Sequence, residues 1–378
     1  MSAPSIRIPF AGPLAPAIIT PASAKTVSGA IDAIEKFLTT PTPADRRGIS
    51  DGGSSQTVLL TGAGISVESG LSDYRGENGT YVKNKTYRPI FYHEFLRRHE
   101  SRKRYWARSF FGWPVLAKSK PNETHFAIRE LGEKGYVSSV ITQNVDSFHY
   151  IAHPELSTVE LHGYLRSVAC TSCHGKFDRD EFQKSLARLN PSWTEYLQKM
   201  IESGALDTDD RAEQQRKGLK MNADGDVDLA QAPYSTFRYP ACPSCLERPP
   251  IHSDGTKSQV EVDKDGAWAP NSNAGILKPA VVMFGENVDP AVKTAAEEAI
   301  DDAGRLLVLG SSLATFSAWR LVEQAHRRGI PVGIINVGGV RNEKVLFDGE
   351  QQNRSLLDQY VRCNLKAEWI LPEVVSRL

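Results

Sequence analysis

Two CxxC pairs, Cys170-Thr171-Ser172-Cys173 and Cys242-Pro243-Ser244-Cys245, constrain this chain more than any other feature, because 68 residues, 174 to 241, separate groups that must meet in space. Only five cysteines occur in 378 residues, and four of them stand in these pairs. A secreted disulfide framework would distribute its cysteines differently. The paired spacing is that of a tetrahedral zinc site, and four thiolates leave such a metal no open position for water or substrate. Cys170, Cys173, Cys242 and Cys245 are therefore expected to hold a structural Zn2+ that braces a small lobe. The gap exceeds the roughly 15 to 20 residues of a plain zinc ribbon, so an inserted loop must fill it.

The rest of the chain alternates. Short runs at 57–61, 137–142, 158–161, 280–284, 305–309 and 331–336 are nearly all apolar, as in strands buried on both faces. Helical segments at 29–38, 122–134, 290–303 and 317–328 separate several of them, with Asp289-Pro290 as a start signal and Gly329 as a stop. The fold class implied is α/β, a mostly parallel sheet covered by helices on both faces, with ligands beyond the carboxyl ends of the strands. Residues 76–120 and 166–274 break the alternation and read as a smaller zinc-binding and helical lobe. The expected domains are 29–165 with 275–378 as the sheet domain, 76–120 as a helical insertion into the lobe, and 166–274 as the zinc lobe with long polar loops. Residues 1–28 are expected to be a disordered or targeting segment.

Forty-five basic and 45 acidic residues give a formal charge of zero, which supplies no global field for nucleic acid or an anionic membrane. The basic stretch from Arg97 to Arg108 reads as a solvated helix face. No run of about 18 apolar residues exists to span a bilayer. The expected partners therefore include neither nucleic acid nor membrane, and the chain is expected to be a monomer. Residues 1–31 carry no Asp or Glu, hold Arg7 and Lys25, and contain five prolines. That composition is in part that of an organellar transit peptide and in part that of plain disorder.

The strand at 57–61 runs straight into Gly62-Ala63-Gly64-Ile65-Ser66, a glycine turn of the kind that lets backbone N–H groups approach a pyrophosphate. Val67 stands where the usual fingerprint has its third glycine, so the turn alone fits a structural role equally well. Glu68 to Gly76 and Thr142-Gln143-Asn144-Val145-Asp146-Ser147-Phe148-His149 then place polar groups at the mouths of buried strands, where an unpaired amide or carboxylate is costly. A ligand is one natural partner for Asn144 and Asp146; a turn or cap is the other.

These blocks, together with Leu161-His162-Gly163 before the first CxxC, Lys278 to Glu286, Gly310-Ser311-Ser312 and Ile335 to Gly338, resemble the sirtuins in content and in order over residues 57–338. The runs Arg104 to Pro114 and Asn190 to Trp193 further resemble class II sirtuins of mitochondria and bacteria. The resemblance implies a Rossmann-like domain beside the zinc lobe, and NAD as co-substrate. It implies that Gly62, Ala63, Gly64, Ile65 and Ser66 contact the phosphates and that Asp73, Tyr74 and Arg75 lie on a loop covering the cofactor. Gln143, Asn144 and Asp146 would line the ribose and nicotinamide pocket. Gly310, Ser311, Ser312, Asn336, Val337 and Gly338 would bind the adenosine half, with Cys363 near the adenine. Unaided by the resemblance, Cys363 is a small buried hydrophobe.

The activity implied is NAD-dependent removal of acyl groups from lysines of protein or peptide substrates. The acyl oxygen attacks the ribose as nicotinamide leaves, with Asn144 and His162 as the catalytic residues. His162 would act as general base on the ribose hydroxyls, a task that suits an imidazole. Nine histidines occur and most histidines are structural, so it is the strand-end position beside the lobe, where a cleft is expected, that singles this one out. Val281, Val282, Phe284 and Gly285 would lend main-chain groups to an extended substrate; the same run also reads as a core strand. Ser72 and Tyr74 stand where the family commonly has proline and phenylalanine. Tyr81 and Arg88 do not align as a pair selecting acidic acyl groups. Transfer of ADP-ribose to protein, and a non-enzymatic NAD or acyl-lysine sensor, are the alternative functions; the mitochondrial matrix is the expected location, with cytoplasm or nucleus as alternatives.

Overall fold

The computed structural model describes residues 14–42, 56–77, 79–83, 87–204, 206, 219–222, 225–229, 232–347 and 360–378. The described residues divide into two compact units, one of 14–83, 120–162 and 288–378, the other of 87–119 and 163–287. The unit boundaries fall at 162/163 and 287/288, so residues 163–165 and 275–287, expected in the sheet domain, belong with the cysteines. Residues 76–83, expected in the insertion, belong with the sheet.

Eleven strands occur among the described residues. In chain order they are β1 (Thr57–Thr61), β2 (Val137–Thr142), β3 (Ser157–Glu160), β4 (Gly163–Cys170), β5 (Lys176–Asp178), β6 (Leu219–Met221), β7 (Val227–Leu229), β8 (Leu277–Val281), β9 (Arg305–Leu309), β10 (Val332–Ile335) and β11 (Val361–Cys363). The first unit holds a parallel sheet of order β11-β10-β9-β1-β2-β3. The pleat explains its apolar strands. Val58 and Leu60 enter a core with Ile141, Leu306, Val308 and Trp319, whereas Leu59 enters the opposite core with Ile34, Ile128, Val140, Leu307 and Val374. Each buried Leu or Val contributes about 1.5–3 kcal/mol.

Helix ends obey local chemistry. Asp289 accepts from Ala291 N at 2.8 Å with Pro290 leading the helix Pro290–Asp301, Asn122 accepts from Thr124 N ahead of Glu123–Glu133, and Gly329, at φ +70°, follows Phe316–Arg327.

The disorder expected for residues 1–28 is corrected from residue 14 onward; residues 1–13 lie outside the described residues, as does most of the loop expected at 39–55. Ile18 N donates to Glu343 Oε1 at 2.9 Å, Thr20 bridges Arg362, Ala24 is buried, and Thr26 caps the helix Val27–Thr39. Apolar residues such as Ile18, Ile19 and Ala24 pack on the cores, which is why this stretch is ordered.

The second unit contains the helix His99–Lys118, an antiparallel sheet of order β5-β4-β8 and the ribbon β6-β7. The run expected as a parallel strand at 280–284 is corrected to β8 at Leu277–Val281, paired antiparallel with β4. Its apolar content suited either sheet. The basic stretch is likewise not a wholly solvated face: Arg102 and Arg108 are buried. Arg102 donates to Phe95 O, Leu96 O and Tyr239 Oη, and Arg108 pairs with Asp226 at 2.8 Å. A Cβ at Gly112 would lie 2.0 Å from Gly225 O, so glycine lets the helix and the turn before β7 touch. The polar segment 202–232 lies partly outside the described residues; residues 247–274 are largely irregular, as expected.

Candidate active site and metal centre

The strand order reverses between β1 and β9, and the carboxyl ends of these neighbours form the switch point at which open parallel sheets bind ligands. The glycine turn sits there. A Cβ on Gly62 would lie 2.8 Å from Ser311 Cβ, and one on Gly64 would lie 2.8 Å from Gly310 Cα. Glycine is required so that the two loops can touch. Gly62 N and Gly64 N donate to Leu309 O and Gly310 O at 3.0 and 2.9 Å, so these two amides hold the loops together rather than standing open. Ile65 is buried in the core and its carbonyl accepts from Asn122 Nδ2 at 2.8 Å.

The polar residues after β2 converge on the same turn. Gln143 Nε2 donates to Ser311 Oγ at 2.7 Å and to Thr61 O at 3.2 Å, and its Oε1 accepts from Thr315 Oγ1 at 3.2 Å. Asn144 Nδ2 donates to Gly62 O at 3.2 Å and Ser66 Oγ at 3.1 Å. Ser66 Oγ donates to Asp146 Oδ2 at 2.7 Å, and Phe148 N donates to Asp146 Oδ1 at 2.9 Å. Burial raises the Asp146 pKa to about 6 against the lowering effect of those two donors. Ser147 adopts φ +68° to make this turn.

His162 follows β3. Its Nδ1 lies 3.2 Å from Gln143 O and its Nε2 2.8 Å from Ser317 Oγ. A carbonyl only accepts, so Nδ1 carries the proton and Nε2 presents the lone pair. Burial lowers the pKa to about 4, against the Gln143 carbonyl, which raises it. The ring is thus neutral near pH 7 with its basic atom fixed. His149 differs: it is buried, with Nε2 2.8 Å from Thr61 Oγ1 and Nδ1 2.8 Å from His153 Nε2, and burial holds its pKa well below the usual value. Its ring serves as a brace between β1 and the helix Phe148–Ala152.

Of the remaining expected residues in this unit, Ala63 opens the 3-10 turn Ala63–Ser69, and Ser312 O accepts from Arg341 N at 2.9 Å. The Asn336 and Gly338 carbonyls accept from the buried Arg362 guanidinium, and Gly338 N donates to Asn364 Oδ1 at 2.7 Å. Val337 is exposed between them, and Cys363 is buried on β11 with its thiol pushed up to about 12 by burial. Asp73, Tyr74 and Arg75 lie on the loop that follows the 3-10 turn. Asp73 accepts from Gly76 N, the Tyr74 and Tyr81 rings lie 5.7 Å apart, and the Arg75 guanidinium is 5.0 Å from the Tyr81 ring. Sequence reading missed Ser317 and Thr315; both follow the Gly310-Ser311-Ser312 block closely enough for that block to have flagged them.

In the second unit the four cysteine sulfurs lie within 4.8 Å of one another, with Cys170–Cys245 at 3.6 Å and Cys173–Cys242 at 3.7 Å. Tetrahedral zinc with bonds of about 2.3 Å needs sulfurs roughly 3.8 Å apart, so the donor set fits a structural zinc ion. Cys242 N donates to Gly275 O, and Gly275 N to Ser172 Oγ at 3.1 Å, which ties the two knuckles together. The expected peptide-binding run starts at the end of β8, an edge strand among the described residues. Lys278 Nζ donates to Val281 O at 2.8 Å, and Tyr92 N donates to Phe284 O at 2.9 Å, so the carbonyls of Val281 and Phe284 already have partners. Val282 is half-buried and Gly285, at φ +82°, is exposed.

The Sir2 family pattern matches residues 62–317, well over half the chain. The chain belongs to the Sir2 family. This sirtuin is 37% identical over 327 residues to the NAD-dependent protein deacylase SIR4 of Batrachochytrium dendrobatidis, covering 85% of this chain and 90% of that one. It is 35% identical over 289 residues to the NAD-dependent protein deacetylase 2 of Bradyrhizobium diazoefficiens, covering 76% and 86% respectively. A solved Sir2 chain, with deacetylated p53 peptide and 3′-O-acetyl ADP-ribose, matches at a TM-score of 0.55 and 20% identity over 92% of this sirtuin and 98% of that chain, a likeness of fold.

Proposed function

We propose that this sirtuin is an NAD-dependent protein lysine deacylase that moves an acyl group from lysine to ADP-ribose and releases nicotinamide. One observation carries the reading. His162 is neutral, its tautomer is set by Gln143 O, and that same Gln143 is anchored to Ser311 at the strand-end platform where Gly62, Asn144, Ser66 and Asp146 also meet.

NAD supplies the glycosidic bond whose cleavage frees nicotinamide. In this reading Asn144 and Asp146 shape the pocket for the ribose and nicotinamide, and the glycine turn and Ser311 line the dinucleotide's path. His162 Nε2 takes the proton of a ribose hydroxyl, which a fixed lone pair near neutral pH suits. Asp73, Tyr74 and Arg75 cover the co-substrate, and Asn336, Val337, Gly338 and Cys363 border the adenosine. Acylated proteins are the substrates, with the stretch around Val282 and Gly285 lending main-chain groups. Zinc held by the four cysteines supplies stability alone.

The zero formal charge supports a protein substrate over nucleic acid. No helix among the described residues is long and apolar enough to cross a membrane. A monomer in the mitochondrial matrix is the proposed state, supported by the acid-free start of the chain; a leader cut there would end ahead of Ile18, whose amide is built into the fold.

The test is incubation of purified protein with NAD and lysine peptides carrying acyl chains of graded length. Nicotinamide release matched by acyl-ADP-ribose is expected, with loss of transfer in His162→Ala. Full activity in that variant would overturn the reading, and labelled ADP-ribose on protein without acyl loss would replace it with ADP-ribosyl transfer.

A further inference from the structure

The sole basic atom of His162, Nε2, is 2.8 Å from Ser317 Oγ. The site residues expected from the sequence leave this serine unassigned. It stands second in the helix Phe316–Arg327, after the cap residue Thr315. Because Nδ1 is committed to Gln143 O, Nε2 of the neutral ring must accept, and the serine O–H donates to it. When a proton arrives the roles reverse: Nε2–H becomes a donor, and Ser317 Oγ, turning about its Cβ–Oγ bond, accepts.

We propose that Ser317 is a positioning residue for His162, holding the neutral ring with Nε2 in place and then accepting the new N–H of the imidazolium. The proposal rests on His162 being the base of the deacylation. Nε2 has one in-plane lone pair, so the serine O–H gives it up as the ribose O–H approaches; the ribose O–H bond breaks, an N–H bond forms at Nε2, and the serine, which keeps its own proton, accepts that N–H once the ribose oxygen has gone on to attack.

Energetics favour the second half of this role. A hydrogen bond from a charged donor is about twice as strong as one between neutral groups, so the serine stabilises imidazolium more than imidazole. The setting makes that help matter. The ring is buried, no charged side chain among the described residues contributes to its titration, and the positive end of a helix of 12 residues opposes a cation beside it. Without the hydroxyl, a new Nε2–H would be left unpaired in a buried place, which is costly.

Ring NMR of isotopically labelled histidine in the full chain, with acyl-transfer and nicotinamide-exchange rates, tests this. In Ser317→Ala, His162 should titrate at lower pH than in the wild type and acyl transfer should slow about tenfold. Nicotinamide exchange, which precedes any step at His162, should fall less. Ser317→Thr, which keeps a hydroxyl, should restore both titration and transfer. An unchanged His162 titration in Ser317→Ala would overturn the proposal whether or not the protein deacylates, and so would exchange and transfer falling in equal proportion. Failure of the deacylase reading itself shows separately, as no acyl transfer by the wild-type protein, and failure of His162 as its base as full transfer by His162→Ala.

Discussion

Gln143 Nε2 lies 2.7 Å from Ser311 Oγ, so the end of β2 is tied to the loop after β9 across the end of β1 between them. One side chain thereby spans the switch point of the sheet. Gln143→Leu keeps the volume near the original but removes the donors to Ser311 and Thr61 and the acceptor for Thr315. The backbone carbonyl that fixes His162 is retained. Each lost bond to a part-buried group costs about 1 kcal/mol, so NAD should bind roughly tenfold or more weakly, while His162 keeps its Nδ1–H tautomer. Calorimetry with NAD and ring NMR measure the two halves; wild-type affinity would remove Gln143 from the platform.

Asp146 makes stability depend on pH. Burial lifts its folded pKa to about 6, above the ordinary unfolded value of about 3.9. The folded state therefore binds the proton more tightly, and stability falls as pH rises from about 4 to about 6, then levels off. Asp146→Asn removes the ionisation and can still bond Ser66 and Phe148 N. Below pH 4 the variant should match the wild type. Above pH 6 it should melt higher, by roughly 1–3 kcal/mol, and bind NAD less well. Thermal melts at pH 4 and 7.5 check this; a gap that does not widen with pH would refute it.

The four-cysteine cluster predicts one zinc ion per chain by elemental analysis. Cys170→Ala, or strong chelation, should lower the melting temperature and the acyl-transfer rate together, because the sulfurs join β4 to the short helix Pro243–Glu247 and through Gly275 to the start of β8. Zinc-free protein with an unchanged melt would contradict a structural role.

Much of the sheet was legible because its strands are short, β-branched and buried on both faces; 57–61, 137–142 and 305–309 read correctly to the residue. The same signal misled at 280–284, since an apolar run does not say which sheet it joins. Val361–Cys363, only three residues long, offered no period to detect. The glycine turn was visible, but its reason was not: Gly62 and Gly64 are small because Gly310 and Ser311 press on them from 250 residues away in sequence, roughly speaking. Ser317 shows the same limit, since only the fold brings its hydroxyl to His162.

Arg108 is the clearest case of a long-range partner hidden from sequence. It lies 2% exposed and its partner Asp226 8% exposed, with Asn222 Nδ2 also bonding Asp226 at 2.7 Å. Asp226→Ala strands a buried guanidinium and should cost roughly 3–5 kcal/mol. The double variant Arg108→Met with Asp226→Leu removes both charges and should cost much less. Denaturant titration of both variants decides it, and equal losses would mean that the ion pair is not what stabilises the contact between helix His99–Lys118 and β7.

The start of the chain supplies the last prediction. Ile18 N bonds Glu343 Oε1, whose carboxylate also receives Arg362 Nε at 2.7 Å and Val340 N at 3.0 Å, and Arg362 in turn holds the Asn336 and Gly338 carbonyls. Removing residues 1–13 takes away none of these bonds and serves as the control. Removing 1–26 takes away the Ile18 amide, the Thr20 bridge to Arg362, the buried Ala24 and the Thr26 cap. That truncation should cost roughly 2–5 kcal/mol and loosen the 336–338 loop, so NAD affinity should drop with it. Glu343→Gln in the full chain separates the causes: it keeps the shape but leaves Arg362 without a counter-charge, and it should weaken NAD binding without undoing the helix Val27–Thr39. If the longer truncation melts and binds NAD as the full chain does, the segment is a passenger on the fold, and the network around Glu343 has no bearing on the co-substrate.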